Sequence, residues 1–209
     1  MKRTGLMVIL VLLVFLGPSL LSAISTEQPQ PPATEPPILI TSCGQSPGAT
    51  MLKVIFMRLK LEAEPKAYEV NMLATADDLI KSRDEGTPYK TLIIVMGASL
   101  KGMGAAGISI DSELARNTAL IEEAKKQDIT IIGAHIEGMK RRAQGASAGD
   151  NTDEQSIDTV APHSDLLVVN EDGNGDNRFT IISETQNIPM ILVQKNLDLL
   201  EEFGKLFKK

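Results

Sequence analysis

Two hydrophobic patterns take turns along this chain. One is a short, continuous, β-branched run: Ile38-Leu39-Ile40-Thr41, Leu92 to Met96, Ile129 to Ile132, Leu166 to Val169 and Ile188 to Val193. Runs of this length without polar alternation fit parallel strands buried on both faces. The other is apolar recurrence at three- and four-residue spacing. It occurs in Met51, Leu52, Ile55 and Leu59, in the stretch opening near Asp111 and running to Gln127, and in Lys195 to Lys209. That spacing gives a helix one apolar face. Tyr68, Val70 and Met72 alternate with polar residues and predict a further strand near a sheet edge.

The punctuation agrees with this division. Ser46 is placed to cap a helix with Pro47 at its first position, where a missing N–H costs nothing. Thr75 to Asp78 reads as a capping box opening a short helix to about Arg83. Thr152 to Gln155 reads as a second, whose helix Pro162 stops. Met139 to Arg142 begins a helical turn, and Asn177 to Thr185 is a short helix. Ala143 to Asp150, small and glycine-rich, reads as a surface loop. Strands alternating with helices predict an α/β fold: a single Rossmann-like or flavodoxin-like three-layer domain with a mainly parallel sheet of about six strands. The pattern leaves the strand order open.

Ahead of this domain the chain changes character. Lys2-Arg3 precedes a wholly apolar Leu6 to Leu16, then Gly17-Pro18, with small residues Ala23 and Ser25 at a cleavage point. Residues 1–25 therefore read as a signal peptide, which places the mature chain in the periplasm or outside the cell. An uncleaved leader, and so a membrane contact, is the alternative. Residues 26–37 hold five prolines and read as an extended linker, leaving 38–209 as the domain. The formal charge is −6, and −8 without Lys2 and Arg3, so nucleic acid is not an expected partner. One cysteine excludes an internal disulfide.

Candidate chemistry gathers where strands end. Cys43-Gly44-Gln45-Ser46 turns the first strand into a helix N-terminus, which offers free N–H groups to an anion. Gly102 to Gly107, GMGAAG, matches G-x-G-x-x-G but starts five residues after Gly97 ends its strand. The following strand ends in Gly133-Ala134-His135 rather than an acidic residue. Both contexts of a dinucleotide fingerprint are missing, so neither NAD nor flavin is expected. Ser99 and Lys101 fit instead an anion-binding or lid-like loop, or the glycines serve packing alone. His135 with Glu137 fits a general base and its orienting partner, with Cys43 as a possible nucleophile, or else a structural histidine and a buried thiol. Arg141-Arg142 is a solvated helix end, or a carboxylate clamp if the chain folds back. Asp172, Asn174 and Asp176 alternate like the first half of a calcium loop. Asn177 stands where the loop needs Gly, and Glu184 comes one place late. Calcium there is a minor candidate beside polar ligand contacts from Asn170 and Asn174.

VMGASLKGMGAAGI, GAHIEGMKRR and PHSDLLVV with the following GNGDNRFT resemble a family of exported bacterial α/β proteins described only as a domain of unknown function. The resemblance covers most of Ile38 to Lys209. It implies an exported Rossmann-like domain and brings no activity with it. The expected function is capture of a small, anionic solute at the strand ends by Gln45, Ser46, Ser99, Lys101, His135, Glu137, Asn170 and Asn174. No cofactor is expected, and an envelope or transport protein is an expected partner. The alternatives are an envelope interaction module without a ligand and an exported hydrolase using His135.

Overall fold

The computed structural model describes residues 29–142 and 151–207. The expected signal peptide, residues 26–28 of the expected linker, and the expected loop at 143–150 lie outside the described residues. Six strands form one all-parallel sheet: β1 (Ile38–Cys43), β2 (Tyr68–Val70), β3 (Thr91–Met96), β4 (Thr130–His135), β5 (Leu166–Asn170) and β6 (Met190–Val193). Their spatial order is β2-β1-β3-β4-β5-β6. This is the flavodoxin-like order with a sixth strand added, so the order reverses between β1 and β3. The α-helices among the described residues are α1 (Gly48–Leu59), α2 (Ala76–Asp84), α3 (Leu100–Ala106), α4 (Ile110–Lys126), α5 (Thr152–Val160), α6 (Arg178–Gln186) and α7 (Asp198–Phe207).

The continuous apolar runs are divided between two cores by the pleat. Leu92, Ile94 and Met96 face the side covered by α2, α4, α5 and α6. Ile93 and Val95 face α1 and α7. Crossover handedness explains the split. The chain steps one way from β1 to β2 and the other way thereafter, so right-handed crossovers put α1 on one face and α2, α4, α5 and α6 on the other. The smaller face is closed by aromatics: Phe56 lies 5.2 Å from Phe203 and 5.7 Å from Phe207 between ring centroids.

Residues 29–37 of the proline-rich linker run along the N-terminal ends of the strands. Thr34 Oγ1 donates to Leu206 O at 2.6 Å, Thr91 Oγ1 to Glu35 O at 2.8 Å, and Thr130 Oγ1 to Ala33 O at 3.1 Å. The strap therefore begins on the face opposite the carboxyl ends of the strands. No helix among the described residues is long and apolar enough to cross a membrane.

Phe203→Ala should destabilise the fold by about 3–5 kcal/mol, because its fully buried ring leaves a cavity between α1 and α7. Urea denaturation followed by far-ultraviolet circular dichroism measures this.

Candidate functional site

The reversal of strand order between β1 and β3 makes their carboxyl ends the place where an open parallel sheet offers a crevice. Here the two turns are sewn together. Gly97 N donates to Cys43 O at 3.1 Å and Ser99 N to Gly44 O at 2.7 Å. A Cβ on Gly44 would sit 2.5 Å from Gly97 O, and Gly44 has φ +103°, so only glycine fits. The stretch expected as a glycine loop is largely the short helix α3. Ser99 caps it by accepting from Gly102 N at 3.1 Å, and Lys101 points to solvent from its first turn. Within GMGAAG, Gly102 is a packing glycine: a Cβ there would lie 2.2 Å from Gln45 O, whereas one at Gly104 would meet nothing.

Helix α4 holds the β1 turn from one side. Glu113, 1% exposed, accepts from Gly44 N at 2.9 Å and from Gln45 Nε2 at 2.9 Å. Arg116 neutralises it at 2.8 Å and also donates to Ser42 O at 2.6 Å. Asn117 Nδ2 donates to the Glu113 carbonyl at 3.0 Å. These three residues are absent from the sequence-based candidate set. A signal was present: counting back by helical periods from Leu120, Ile121 and Ala124 places Asn117 and Glu113 on the buried face.

The N-terminus of α1 meets an anion supplied by the chain itself. Pro47, rather than the expected Ser46, takes the capping position, and the fully buried Ser46 Oγ lies 3.4 Å from Gly48 N. Glu137 Oε2 accepts from Gly48 N at 3.1 Å. Arg141 holds the other oxygen of Glu137 at 3.2 Å and donates to Ala98 O at 2.9 Å. Asp153, from the start of α5, accepts from Ala98 N at 2.7 Å. Burial raises the Asp153 pKa, against the opposing pull of the Ala98 N–H and the Arg141 charge.

His135 lies behind this layer, 0% exposed, with Nε2 3.2 Å from Gly138 O and its ring 5.0 Å from that of Phe179. Burial, helped by the Arg142 charge, pushes its pKa down to about 4. Glu137 is turned to Gly48 and Arg141 rather than to this ring. Cys43 packs in the apolar cluster with Met96 and Leu120, and burial pushes its thiol pKa up, away from a reactive thiolate. Both groups would need the mouth to open before either could touch a substrate.

The chain does fold back over the mouth, and Arg142 is the clamp. Buried, it binds Glu154 at 2.7 Å and Asp176 at 2.5 Å, and its guanidinium stands 5.4 Å from the centre of the Phe179 ring. Arg178 reaches Glu154 at 2.8 Å and also pairs with Asp158. The three residues of the calcium-loop expectation each have a protein partner. Residues 171–174 form a 3-10 turn, and the three candidate side chains serve different partners. Asp172 accepts from Met139 N at 3.0 Å, Asn174 accepts from Phe179 N at 2.9 Å to hold the start of α6, and Asp176 pairs with Arg142. No group of three His, Cys, Asp or Glu able to hold a metal occurs among the described residues. Asn170 Oδ1 accepts from Asp172 N at 3.0 Å. Met139, Asp172, Gly175 and Asp176 line an open hollow beside this network.

Fold and mouth together define a single three-layer α/β domain with flavodoxin-like strand order. The chain belongs to the family described as "Domain of unknown function (DUF6305)", whose match spans residues 35–207. No curated protein matches it. Among solved structures it is similar to an acetyl xylan esterase, AlAXEase, with 12% identity and a TM-score of 0.34 over 80% of this chain and 82% of that one. It is also similar to a psychrotrophic esterase, EstA from Pseudoalteromonas sp., with 14% identity and a TM-score of 0.31 over 75% and 76% of the two chains.

Gly102→Ala should lower stability by about 1–3 kcal/mol by driving α3 off Gln45. Gly104→Ala should be neutral or stabilising by about 0.5–1 kcal/mol, since its Cβ enters open space inside a helix. Chemical denaturation of the two variants makes the comparison.

His135 sets a pH dependence. Its folded pKa, about 4, lies below its ordinary 6.5, so the unfolded chain binds the extra proton between those values. The stability it contributes is present above pH 6.5 and lost as pH falls towards 4, on the order of 3 kcal/mol in all. His135→Phe should remove that part of the slope in denaturation midpoints measured from pH 7 to 4.5.

Proposed function

We propose that this chain is an exported recognition domain that takes a small anionic solute at its strand-end mouth. One observation carries the reading. Two backbone N–H groups, Gly48 and Ala98, and the guanidinium of Arg141 converge at the order-reversal point, and the chain's own Glu137 and Asp153 occupy them. Converging N–H donors and an arginine fork are the recognition chemistry of carboxylate and phosphate groups. A solute anion replaces the Glu137 carboxylate on Gly48 and Arg141, and Glu137 swings to solvent. Ser46 and Ser99 flank the donors, and Lys101 adds a positive charge on the exposed face of α3. The signal-like leader supports a periplasmic or extracellular setting. A single domain has no second lobe to close over such a site, which favours an envelope or transport protein as the partner that completes it.

The test is calorimetric titration of the intact chain with inorganic phosphate, sulfate and succinate. Glu137→Gln should bind at least one of these about tenfold more tightly than the unaltered chain, since the competing anion is gone. Arg141→Ala should abolish that binding. If neither the unaltered chain nor Glu137→Gln binds any of the three, the assignment of this mouth to anions is wrong.

A further inference from the structure

The edge strand β2 breaks the rule that the rest of the sheet obeys. Leu39 pairs in register with Leu92 on one side and with Glu69 on the other, and Leu92 pairs with Ile131. The row Ile131-Leu92-Leu39 is core, and it ends in a carboxylate. Beyond Glu69, between β2 and α2, lies a cleft of about 220 Å³ floored by Leu39. It is distinct from the strand-end mouth, and its chemistry stands independently of anion binding there.

Glu69 is pinned as an anion. Tyr89, 7% exposed, donates its hydroxyl to Glu69 Oε2 at 2.5 Å, and Lys66 pairs with the same oxygen. Glu69 Oε1 takes no hydrogen bond from a described residue. Across the cleft, Asp78 uses Oδ2 alone to close the capping box with Thr75, leaving Oδ1 unassigned among the described residues. Donors face the same space. Asn71 spends its Oδ1 on Leu73 N and keeps Nδ2. Lys81 has only a 3.9 Å pairing with Glu85, both largely exposed.

We infer that this cleft is a binding site for a small zwitterion of amino-acid size, its ammonium taken by Glu69 and Asp78 and its carboxylate by Lys81 and Asn71. Two free carboxylate oxygens answer one ammonium, and an ammonium with an amide N–H answers one carboxylate. The lining holds three carboxylates and two lysines, so a ligand meets both signs of charge there. The modest volume limits the ligand to a few heavy atoms beyond the charged pair.

Differential scanning fluorimetry and calorimetry on the intact chain, with glycine, L-alanine, acetate, methylamine and D-glucose as probes, make the test. Glycine or L-alanine should raise the melting temperature and bind, while acetate and methylamine should not. Glu69→Gln and the solvent-exposed Lys81→Ala should each weaken binding at least about tenfold. Arg141→Ala, at the other site, should leave it unchanged. Binding of D-glucose without either amino acid overturns the assignment in favour of a neutral polyol. Loss of amino-acid binding in Arg141→Ala overturns it in favour of the mouth. No response to any probe overturns it too, and reduces Glu69 to an inward charge that protects a sheet edge from pairing.

Discussion

Six parallel strands deliver six carboxyl ends to one face, and the tight turns there leave backbone N–H groups facing inward without ladder partners. An unpaired buried N–H costs free energy comparable to a lost hydrogen bond. This chain answers four of them with carboxylates. Glu113 serves Gly44, Glu137 serves Gly48, Asp153 serves Ala98 and Asp172 serves Met139. Carboxylates carried into such a layer need counter-charges, and the arginines follow from that need. Arg116 answers Glu113, Arg141 answers Glu137, and Arg142 with Arg178 answers Glu154. Breaking a buried pair by removing one partner is far more damaging than never having built it. The layer is therefore cooperative, and the conformations of β1, β3 and β4 beyond their last ladder bonds depend on it.

The fold was legible because its signal is local. A strand buried on both faces shows as an unbroken apolar run, and a helix lying on a sheet shows as a stripe, so type and succession could be read residue by residue. Strand order could not, because the β1–β3 and β1–β2 pairings join residues 30 to 53 positions apart with no local mark. The site divides in the same way. Gly44, Ser46, Ser99 and Glu137 sit just after strand ends and were visible as such, and Arg141 was visible as a clamp that depends on the chain folding back. Glu113 and Asp153 act 69 and 55 residues away from the N–H groups they hold, and only the sheet order makes them neighbours. Their trace in the sequence was a polar residue on an otherwise apolar helix face, and, for Asp153, a place in a helix's first turn that propensity alone explains.

The glycines show how one motif divides into separate physical duties. GMGAAG spells a phosphate-binding fingerprint, yet Gly102 is there because the Gln45 carbonyl lies against it, and Gly107 because the last turn of α3 ends at φ +68°. The glycines that shape the mouth lie outside the motif, at Gly44 and Gly97, where positive φ lets two turns pass within bonding distance. Spacing is a property of the string, while duty is set by what stands opposite. This is why the strand-to-motif offset, five residues too long, was a better guide than the motif itself.

The two polar regions differ in how fully their hydrogen-bonding capacity is used, and that difference carries more than their shape does. At the mouth, both oxygens of Glu113 and both of Glu137 are engaged, and Asp176 and Arg142 are joined through two separate bonds. An incoming group there must displace an existing partner, so affinity is the difference between two similar interactions and the free state is held closed. At the β2 edge the carboxylates are half used, the covering helix is short, and no exchange is needed. A group arriving there adds bonds to a surface that already keeps Glu69 ionised through Lys66 and Tyr89. The proposed anion at the mouth therefore competes with a resident carboxylate, whereas the proposed zwitterion at the edge cleft adds to oxygens that no described residue uses.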